Sequence, residues 1–506
     1  MHSIDRPTNQ VEHSGLGRLF KILILFGVVG LLFLRFVNLD ADFPPGITKS
    51  AVLYTDEGWY SAAAVRDVLT GDWYVPGDIN MAVTMPAGQV FYRVVFALLK
   101  PSLASARMMI AFSFLLLTLL TSLLVRRHFG DYAALLTALV LAGNYVAFAY
   151  SRLATMDLIA TSLIVASLWV ADGPPGRGAT TRMLAGSAML TVGILAKNNA
   201  VLGLPLLAYL GWRTGTTRQE RVRMLAAACV IPLVLVGAYV AYSLSAFPAE
   251  WALYQGYGDN LVYSSLQAWY ANLAGAFVLM RRLGIGLVRL VGITAAVALI
   301  VSRRYRDDLL IHVFLGYILV YGLMLSVNSY RPVRYYLPLL VPLAGLLGAA
   351  CVVIWDTVRH TKGDAIAVVP LLVLAVIVAG GARQIRGYLL RPTYSFFNMA
   401  HSVGGVIQAR EGRVHGVLLF GDIADSVSLE IGTNSANSLL GLDQVAQLRR
   451  YHPEYLIVHT SDINDLAAAE GATVQQLGAW DVFGNYYANG EQVRLYSARW
   501  PGQAEP

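Results

Sequence analysis

The stretch KILILFGVVGLLFLR, residues 21–35, is an apolar run held between two cations. The stems of Lys21 and Arg35 are long enough to carry their charges to the membrane interfaces while the run between them stays in the hydrocarbon layer. No small-residue cleavage site follows, so the sequence predicts a first helix that is retained rather than removed as a leader. The polar residues 1–18 are predicted to be a disordered cytoplasmic tail.

Similar apolar runs recur along the chain. Hydrophobic residues make up 56% of the 506 residues and charged residues 14%, against roughly 45–50% and 25% in ordinary soluble domains. About eleven runs approach the roughly 20 residues that cross a bilayer. The sequence therefore predicts a polytopic α-helical membrane protein with about 11 transmembrane helices over residues 19–382, followed by a soluble α/β domain over residues 383–506. The runs lie near 19–37, 103–125, 131–150, 153–171, 183–197, 199–212, 222–245, 283–302, 309–327, 333–355 and 364–382.

The basic residues fall in alternate loops. If the first helix leaves the cytoplasm, every second loop should be rich in Lys and Arg. The net charge of +7 therefore indicates topology in a cell (inner or plasma) membrane rather than nucleic-acid binding, and an odd number of crossings puts the C-terminus outside. The basic loops contain Arg126-Arg127-His128, Arg177 with Arg182, Arg213 with Arg218, Arg221 and Arg223, Arg303-Arg304 with Arg306, and Arg359 with Lys362.

Three long segments are predicted on the outer face. The first, residues 38–101, contains the apolar piece Val90–Leu99, which is too short to span and is predicted to lie in the interface as a helix. The second, residues 246–282, is dense in aromatic side chains. These fit an interfacial belt, and stacking on sugar rings or packing on a lipid tail is left open.

The third outer segment is the polar tail. Tyr394–Ala409 has helical spacing, and Val414–Phe420, Tyr455–Val458 and Val493–Tyr496 have the composition of short strands. The polar stretch from Gly432 to Ser438 is predicted to be a loop. Together these features predict a small α/β domain.

Two adjacent carboxylates, Asp56 and Glu57, lie in the stretch YTDEGWY, residues 54–60, of the first outer segment. In a strand or turn neighbouring side chains point apart, so one carboxylate is expected to enter a cleft while the other makes a structural bond. The alternative is two solvated loop carboxylates. The flanking aromatic residues favour a partly buried setting, in which a carboxylate needs a cation or hydrogen bonds to stay charged.

Three further sites reach the same face once the loops are counted. They are Asp157, which follows Ser151-Arg152 at the fourth crossing, Lys197 at an outer turn, and Arg331 with Arg334 before the tenth crossing. Each has a structural alternative: a helix-start carboxylate for Asp157 and interface-anchoring cations for the others. A carboxylate base beside cations that bind phosphate suits transfer of a sugar from a lipid-phosphate carrier.

Several of these residues also carry a family resemblance. The chain resembles the GT-C glycosyltransferases, in particular the superfamily of protein O-mannosyltransferases and lipid A aminoarabinose transferases. The resemblance covers most of the membrane part. It rests on Arg35-Phe36 and Leu39, Asp56-Glu57-Gly58-Trp59-Tyr60, Gly71-Asp72-Trp73-Tyr74-Val75-Pro76, Ser151-Arg152 to Asp157, Leu195-Ala196-Lys197, and Arg334-Tyr335 to Pro338.

The resemblance implies an inverting transfer from a polyprenyl-phosphate sugar, with Asp56 as the general base. It implies that Asp157 and Glu57 orient the catalytic site and that Arg152, Lys197 and Arg334 bind the donor phosphate. We add Arg331 to the predicted phosphate ligands and predict substrate contacts from the aromatic residues Trp59, Tyr60, Tyr335 and Tyr336. One departure concerns the first outer segment, where such proteins often have Lys or His before two prolines; here the stretch is Thr84-Met85-Pro86-Ala87-Gly88-Gln89.

The predicted partners are a polyprenyl-phosphate sugar donor, a lipid, glycan or protein acceptor, and membrane lipids, without nucleic acid. No cofactor is implied with certainty, and a divalent cation bound by Asp56 and Asp157 is left open. A multi-pass transporter or flippase of a lipid-linked glycan is the alternative function, although paired repeats typical of transporters are not found in the sequence. A structural assembly subunit is the third interpretation.

Overall fold

The computed structural model describes residues 15–44, 47, 52–174, 176, 178–259, 267, 269–270, 285–302, 305–327, 333–362, 369–438, 443–459, 462–483 and 492–501. Arg331 and most of the aromatic segment 246–282 beyond residue 259 lie outside the described residues.

The membrane part consists of helices joined by short turns. In chain order they are α1 (Gly15–Phe33), α2 (Val52–Thr70), α3 (Met81–Thr84), α4 (Pro86–Leu99), α5 (Leu103–Gly143), α6 (Tyr145–Tyr150), α7 (Asp157–Ala171), α8 (Ala179–Ala196), α9 (Leu204–Thr214), α10 (Arg218–Ala246), α11 (Pro248–Asp259), α12 (Ile285–Val301), α13 (Leu309–Val327), α14 (Leu337–Lys362) and α15 (Val369–Leu389). Within the described ranges, seven of them are long and apolar enough to cross a membrane: α1, α5, α8, α10, α13, α14 and α15. The polytopic helical class is confirmed, and the number of about eleven crossings stays a prediction.

Helix α5 is 41 residues long, but its backbone breaks at Gly130. The φ of 82° and ψ of −176° at this residue are non-helical, and a positive φ is easily adopted by glycine. The break separates residues 103–129 from 131–143, close to the positions of the predicted second and third crossings. Arg126 and Asp131 join the two sides through an ion pair of 2.5 Å.

Burial divides the long helices into a centre and a rim. In α14, 89% of the apolar window is buried, against 17% in α1 and 11% in α15. Large apolar side chains such as Phe26 and Phe33 project outward from α1 at 72% and 67% exposure. Such faces are compatible with hydrocarbon, so α1 and α15 form the lipid-facing rim while the start of α14 carries its residues to the centre of the bundle.

The first outer segment is helical where a strand or turn was expected. Asp56 and Glu57 both lie in α2, whose second half contains three consecutive alanines, the residue with the highest helix propensity. The expectation of a strand or turn at this pair was wrong, although neighbouring side chains on a helix also diverge. The short helix predicted at Val90–Leu99 is present as α4; it buries Tyr92 and Phe96 and exposes Val90 and Leu98 on another face.

The tail forms a five-stranded sheet with helices around it. Its elements are α16 (Ser395–Glu411), β1 (Leu418–Gly421), α17 (Ala424–Ile431), β2 (Asn434–Asn437), α18 (Gln444–Tyr451), β3 (Tyr455–Val458), α19 (Ile463–Ala469), β4 (Thr473–Trp480) and β5 (Val493–Arg499). The strand order is β2-β1-β3-β5-β4. Strand β1 runs parallel to β2 and β3, whereas β5 is antiparallel to β3 and β4. The predicted small α/β domain is thus confirmed.

Two strands of this sheet, β2 and β4, were not predicted from the sequence. The predicted loop from Gly432 to Ser438 is wrong at β2, which pairs with β1 in the register Leu419 to Ser435. Strand β2 reads Asn-Ser-Ala-Asn, so its polar composition hides a buried strand whose side chains are held by hydrogen bonds to Asp425. Strand β4 is an edge strand, where exposed polar residues weaken the apolar signal.

The C-terminal domain packs directly on α2. A Cβ atom added to Gly58 would lie 2.0 Å from the backbone nitrogen of Ser426 in α17, so only glycine allows this approach. The amide of Gly58 donates to Oγ of Ser426 at 3.2 Å. About two helical turns further along α2, Nη1 of Arg66 donates to the carbonyl of Ser435 at 3.3 Å. The helix that carries Asp56 is therefore fixed from the domain side as well as from the membrane side.

Candidate active site

Asp56 of α2 forms a buried ion pair with Arg334. Arg334 lies in a short 3-10 turn, Val333–Tyr336, that leads into the central helix α14. Its Nη1 donates to Oδ2 of Asp56, and the two residues are 3% and 4% exposed. The turn thus brings the predicted phosphate-binding cation to the predicted base.

Asp157 and Lys197 form a second pair beside the first. Asp157 is the first residue of α7 and Lys197 follows the last residue of α8. Nζ of Lys197 is 2.9 Å from Oδ1 of Asp157, and Nε of Arg334 is 3.8 Å from Oδ2 of the same carboxylate. Arg334 therefore connects the two pairs, and Asp56, Asp157, Lys197 and Arg334 are called the charged cluster.

The two cations of the charged cluster are buried, at 5% exposure for Lys197 and 3% for Arg334. An interface-anchoring cation, the structural alternative for both, would keep its charge in water or at the headgroups. A helix-start carboxylate describes the position of Asp157 but not its ion pairs. The geometry therefore favours a cluster that recognises or stabilises charge.

Two aromatic rings cover the cations. Tyr60 lies one helical turn after Asp56, and Nζ of Lys197 donates to its hydroxyl at 3.1 Å. The guanidinium of Arg334 lies 5.3 Å from the ring centroid of Tyr335, within the range of cation–π attraction. Burial raises the pKa of Tyr60 well above its ordinary value, so its hydroxyl stays neutral beside the charges.

The charged cluster is balanced in charge but not saturated in hydrogen bonds. Two carboxylates face two cations, so no net charge is buried, and the desolvation cost of each ion is offset by its neighbours. Within the described part of the chain, both oxygens of Asp157 and Nε of Arg334 make no hydrogen bond of good geometry. Buried polar atoms of this kind are uncommon and mark sites where a ligand can complete the network.

The divalent cation left open by the sequence would have to lie between Asp56 and Asp157. The guanidinium of Arg334 contacts both carboxylates and takes that space. In the described ranges no group of three or more His, Cys, Asp or Glu side chains is arranged to hold a metal ion. What the arrangement offers is a carboxylate for proton transfer and two cations for an anion.

Glu57, the neighbour of Asp56, points into a separate and saturated network. Arg107 of α5 donates to its two carboxylate oxygens at 2.7 and 2.5 Å. The amide of Ala154, in the loop before Asp157, donates to the same carboxylate at 2.8 Å. Nη1 of Arg107 also donates to the carbonyls of Leu39 and Ala41, both at 2.7 Å. This network joins α2 to the loop that leads into α7.

Arg107 was missed by the sequence reasoning. It is a single charge near the outer start of the apolar run 103–125, and charges inside spanning segments commonly face a partner in the bundle. Applied to that run, this rule would have found the residue.

The other predicted site residues lie at different distances from the charged cluster. The ring of Trp59 packs on Tyr60 with centroids 5.7 Å apart, and Tyr336, the last residue of the turn that carries Arg334, is fully buried. Arg152 has no contact with the cluster; its Nη2 donates to the carbonyl of Asn38. Arg331 lies outside the described residues, so its predicted role stays a prediction.

The described part of the second outer segment approaches the same region. The hydroxyl of Tyr254 in α11 accepts a hydrogen bond from Nδ2 of Asn198 at 3.2 Å, next to Lys197 in the chain. Glu250 of the same helix accepts from the hydroxyl of Tyr74. Whether the aromatic residues of 246–282 form an interfacial belt or bind a substrate stays a prediction, because half of them follow residue 259, where the structure describes only residues 267, 269 and 270.

Comparison with known proteins adds a family match. Residues 84–242 match the family model described as dolichyl-phosphate-mannose-protein mannosyltransferase. This range contains α4 to α9 and most of α10, with Asp157 and Lys197, but not Asp56 or Arg334. The comparison with curated protein sequences found no match.

Solved structures with the same fold cover nearly the whole chain. ArnT from Cupriavidus metallidurans bound to undecaprenyl phosphate is 16% identical, with a TM-score of 0.62 over 97% of this chain and 100% of ArnT. The archaeal oligosaccharyltransferase AglB from Archaeoglobus fulgidus, in complex with an inhibitory peptide and a dolichol-phosphate, is 9% identical, with a TM-score of 0.56 over 88% and 70%. The arabinofuranosyltransferase AftD from Mycobacteria is 13% identical, with a TM-score of 0.52 over 96% and 40%.

These similarities agree with the helical membrane fold, with the C-terminal α/β domain and with the resemblance seen in the sequence. The chain therefore has the fold of ArnT and of the oligosaccharyltransferase AglB, and its residues 84–242 match the mannosyltransferase family model.

Proposed function

We propose that this protein transfers a sugar from a polyprenyl-phosphate donor to a hydroxyl or phosphate acceptor, with inversion at the anomeric carbon. The observation that carries the proposal is the charged cluster, in which Asp56 and two buried cations meet in one place. ArnT and AglB, which share the fold, are described with bound undecaprenyl phosphate and dolichol-phosphate. This supports the class of donor and leaves the sugar and the acceptor to experiment.

The donor phosphate binds to Lys197 and Arg334 in this proposal. Both cations are already paired with carboxylates, so an entering phosphate competes with Asp56 for Arg334. When the phosphate takes over Arg334, the carboxylate of Asp56 loses its cation and becomes a stronger base. Donor binding thereby activates the base, and the resting enzyme keeps it neutralised.

The chemical step is a single displacement. The acceptor hydroxyl oxygen attacks the anomeric carbon, Asp56 removes the hydroxyl proton, and the bond from the anomeric carbon to the phosphate oxygen breaks with its electron pair on the phosphate. Lys197 and Arg334 stabilise the charge that develops on the leaving phosphate. Attack from the side opposite the leaving group inverts the configuration.

The remaining residues position these groups. Asp157 holds Lys197 and Arg334 at 2.9 and 3.8 Å, and Glu57 fixes α2 to the loop before Asp157. Tyr60 and Tyr335 line the cations, and we propose that they, with Trp59 and Tyr336, contact the donor.

We place the charged cluster and the C-terminal domain on the outer side of a cell membrane. Lys21, at the start of α1, lies 3.5 Å from Asp131, so α1 begins at the end of the bundle that carries Arg126 and Asp131. Ser426 of the domain contacts Gly58, next to the cluster. The basic loops predicted as cytoplasmic therefore belong to the end away from the site, which supports the outer location of residues 383–506.

The test of this proposal begins with the donor. Lipid-linked sugars that accumulate in a deletion strain, identified by mass spectrometry, supply the donor for an assay with the purified full-length protein. Asp56→Asn is then expected to lower kcat by about 10²–10⁴, the usual contribution of a general base. Because the phosphate no longer competes with a carboxylate for Arg334, donor binding should be unchanged or tighter.

Asp67→Asn is the control, since Asp67 lies on the same helix as Asp56 and pairs with the exposed Arg93 of α4. Transfer at the wild-type rate by Asp56→Asn would show that Asp56 is not the base. If the wild-type protein moves a labelled lipid-linked sugar across vesicle membranes but forms no glycosidic bond, the transporter interpretation is favoured instead.

A further inference from the structure

Arg152 is a buried cation whose charge is not balanced. It is 5% exposed, yet in the described ranges its Nε and Nη1 have no hydrogen-bond partner. Its Nη2 donates to the carbonyl of Asn38, and its guanidinium lies 5.2 and 5.0 Å from the rings of Phe148 and Tyr388. Aromatic rings and one carbonyl do not replace the hydration of a guanidinium.

The surroundings of Arg152 increase the imbalance. Arg107 lies on one side, but its charge is neutralised by the ion pair with Glu57. Arg35 lies on another side, with its guanidinium 5.6 Å from the same Phe148 ring, and it too has no carboxylate partner among the described residues. Arg35 differs in donating to the carbonyls of Leu31, Leu141 and Ala142 at 2.7, 3.4 and 3.0 Å, which makes it a structural tie between α1 and α5.

The charge of Arg152 is therefore disfavoured where it lies. Burial, the largest cause, lowers the pKa of this guanidinium from its ordinary value, and the positive charge of Arg107 acts in the same direction. A guanidinium remains protonated at physiological pH. Buried charges in folded proteins are paired, so the missing partner points to an anion from outside the chain.

The position of Arg152 indicates where such an anion would come from. Asn38 follows the end of α1, and Tyr388 is in the last turn of α15, the two helices of the lipid-facing rim. Phe33 and Leu390, at the ends of these helices, are each 67% exposed. The half-buried Tyr394 also lies near the guanidinium. Arg152 is thus just below the surface, at the level where a bilayer places its headgroups.

We infer that Arg152 is the centre of a second anion site, separate from the charged cluster, which takes a phosphate group at the outer membrane interface. Nε and Nη1 lie on different edges of the guanidinium, so each can donate to an oxygen of a phosphate bound on its own edge. Entry requires neighbouring side chains to move aside, because both nitrogens are covered in the present conformation. The site is independent of the proposed transfer reaction.

The test measures binding rather than catalysis. The full-length protein in neutral detergent is heated with increasing inorganic phosphate, and separately with phosphatidylglycerol or with diacylglycerol, which lacks the phosphate, at constant ionic strength. An anion that binds only the folded state raises Tm with its concentration. The expected result is a Tm increase for the wild type with a phosphate-bearing probe and not with diacylglycerol.

Arg152→Gln is expected to lose the part of the Tm increase that depends on Arg152. The probe concentration that gives half of the full Tm increase should be at least tenfold higher than for the wild type. Without phosphate its Tm should equal or exceed that of the wild type, because an unbalanced buried charge has been removed. Arg152→Met, an apolar chain of similar length, serves the same purpose if the glutamine variant does not fold. Arg391→Gln, an exposed arginine in the turn after α15, is the control for general attraction of anions and should respond as the wild type.

The two probes separate the sources of the phosphate. A response to phosphatidylglycerol but not to inorganic phosphate assigns the site to a membrane lipid, and a response to inorganic phosphate assigns it to a soluble phosphate group. Lys197→Gln, which disables the charged cluster, should keep the Arg152-dependent part of either response, so failure of the proposed transferase leaves this result intact. Equal responses of wild type and Arg152→Gln, or a lower Tm of that variant without phosphate, would overturn the proposal.

Discussion

Asp56 and Glu57 are neighbours in α2 and nearly equally buried, at 4% and 3% exposure, but their surroundings differ. Glu57 accepts from both Nε and Nη2 of Arg107 and from the amide of Ala154, so its lone pairs are occupied in fixed directions. Asp56 shares Arg334 with Asp157, whose oxygens lack good hydrogen bonds in the described part of the chain. A saturated pair holds structure together, whereas an unsaturated one can exchange partners with a ligand.

The substitution Arg107→Gln, with the largest expected effect, tests whether the Glu57 network stabilises the fold. It leaves the carboxylate of Glu57 buried with only the Ala154 amide and releases the carbonyls of Leu39 and Ala41. Removing one partner of a buried ion pair costs about 3–5 kcal/mol, so we expect a large fall in Tm, measured by intrinsic fluorescence in detergent.

Arg93→Gln is the matched control, because Arg93 is 65% exposed in its pair with Asp67 and exposed pairs contribute about 0–1 kcal/mol. Equal effects of the two substitutions would mean that saturation of the Glu57 network does not distinguish it from a surface pair.

The sequence predicted the contrast only in part. The spacing and length of the apolar runs were sufficient to predict the helical membrane fold, because each run can be recognised by itself. Asp56, Asp157, Lys197 and Arg334 were placed on one face by counting loops, but their pairing depends on how α7, α8 and α14 pack, and loop counting does not contain that. Arg107 was lost inside an apolar run.

The polar strand β2 of the C-terminal domain shows the same limit of sequence-based prediction. Its Ser435 and Asn437 look like loop residues until the fold supplies Asp425 as their partner. Arg152 was grouped with the phosphate ligands by resemblance, and only the contacts separate it from them.

A third buried network differs from the Glu57 network and from the charged cluster, because its carboxylates outnumber its cations. Asp78 and Asp425 share the single Arg66, at 3.7 and 3.9 Å. Burial, followed by the charge of Asp425, raises the pKa of Asp78 from 3.8 to about 7. A proton therefore supplies the missing positive charge at the contact between α2 and the C-terminal domain.

The sign of the pH effect follows from the raised pKa. The contribution of Asp78 to stability is fully present below about pH 4, where folded and unfolded chains both carry the proton, and it is lost as pH rises toward 7. Between pH 5 and pH 7 we expect a loss of roughly 1–2 kcal/mol, measured as faster hydrogen exchange of α2 and α17.

Asp78→Asn should remove most of this pH dependence, and Asp72→Asn, at an exposed carboxylate of the same segment, should keep it. A dependence that survives Asp78→Asn would mean that another group titrates at this contact.

The smallest expected effect concerns Tyr60, whose neutral hydroxyl accepts one hydrogen bond inside the charged cluster. Tyr60→Phe removes the hydroxyl that accepts from Lys197 at 3.1 Å but keeps the ring that lies 4.8 Å from Nζ. Because Lys197 keeps its ion pair with Asp157, the loss is that of a single hydrogen bond, about 1 kcal/mol. We expect a roughly five-fold change in the donor KM with little change in kcat. Tyr92→Phe removes an equivalent bond, to the carbonyl of Ala154 at 2.8 Å, without touching a cation of the cluster. If both substitutions change the donor KM alike, the hydroxyl of Tyr60 acts through packing of α2 and not through Lys197.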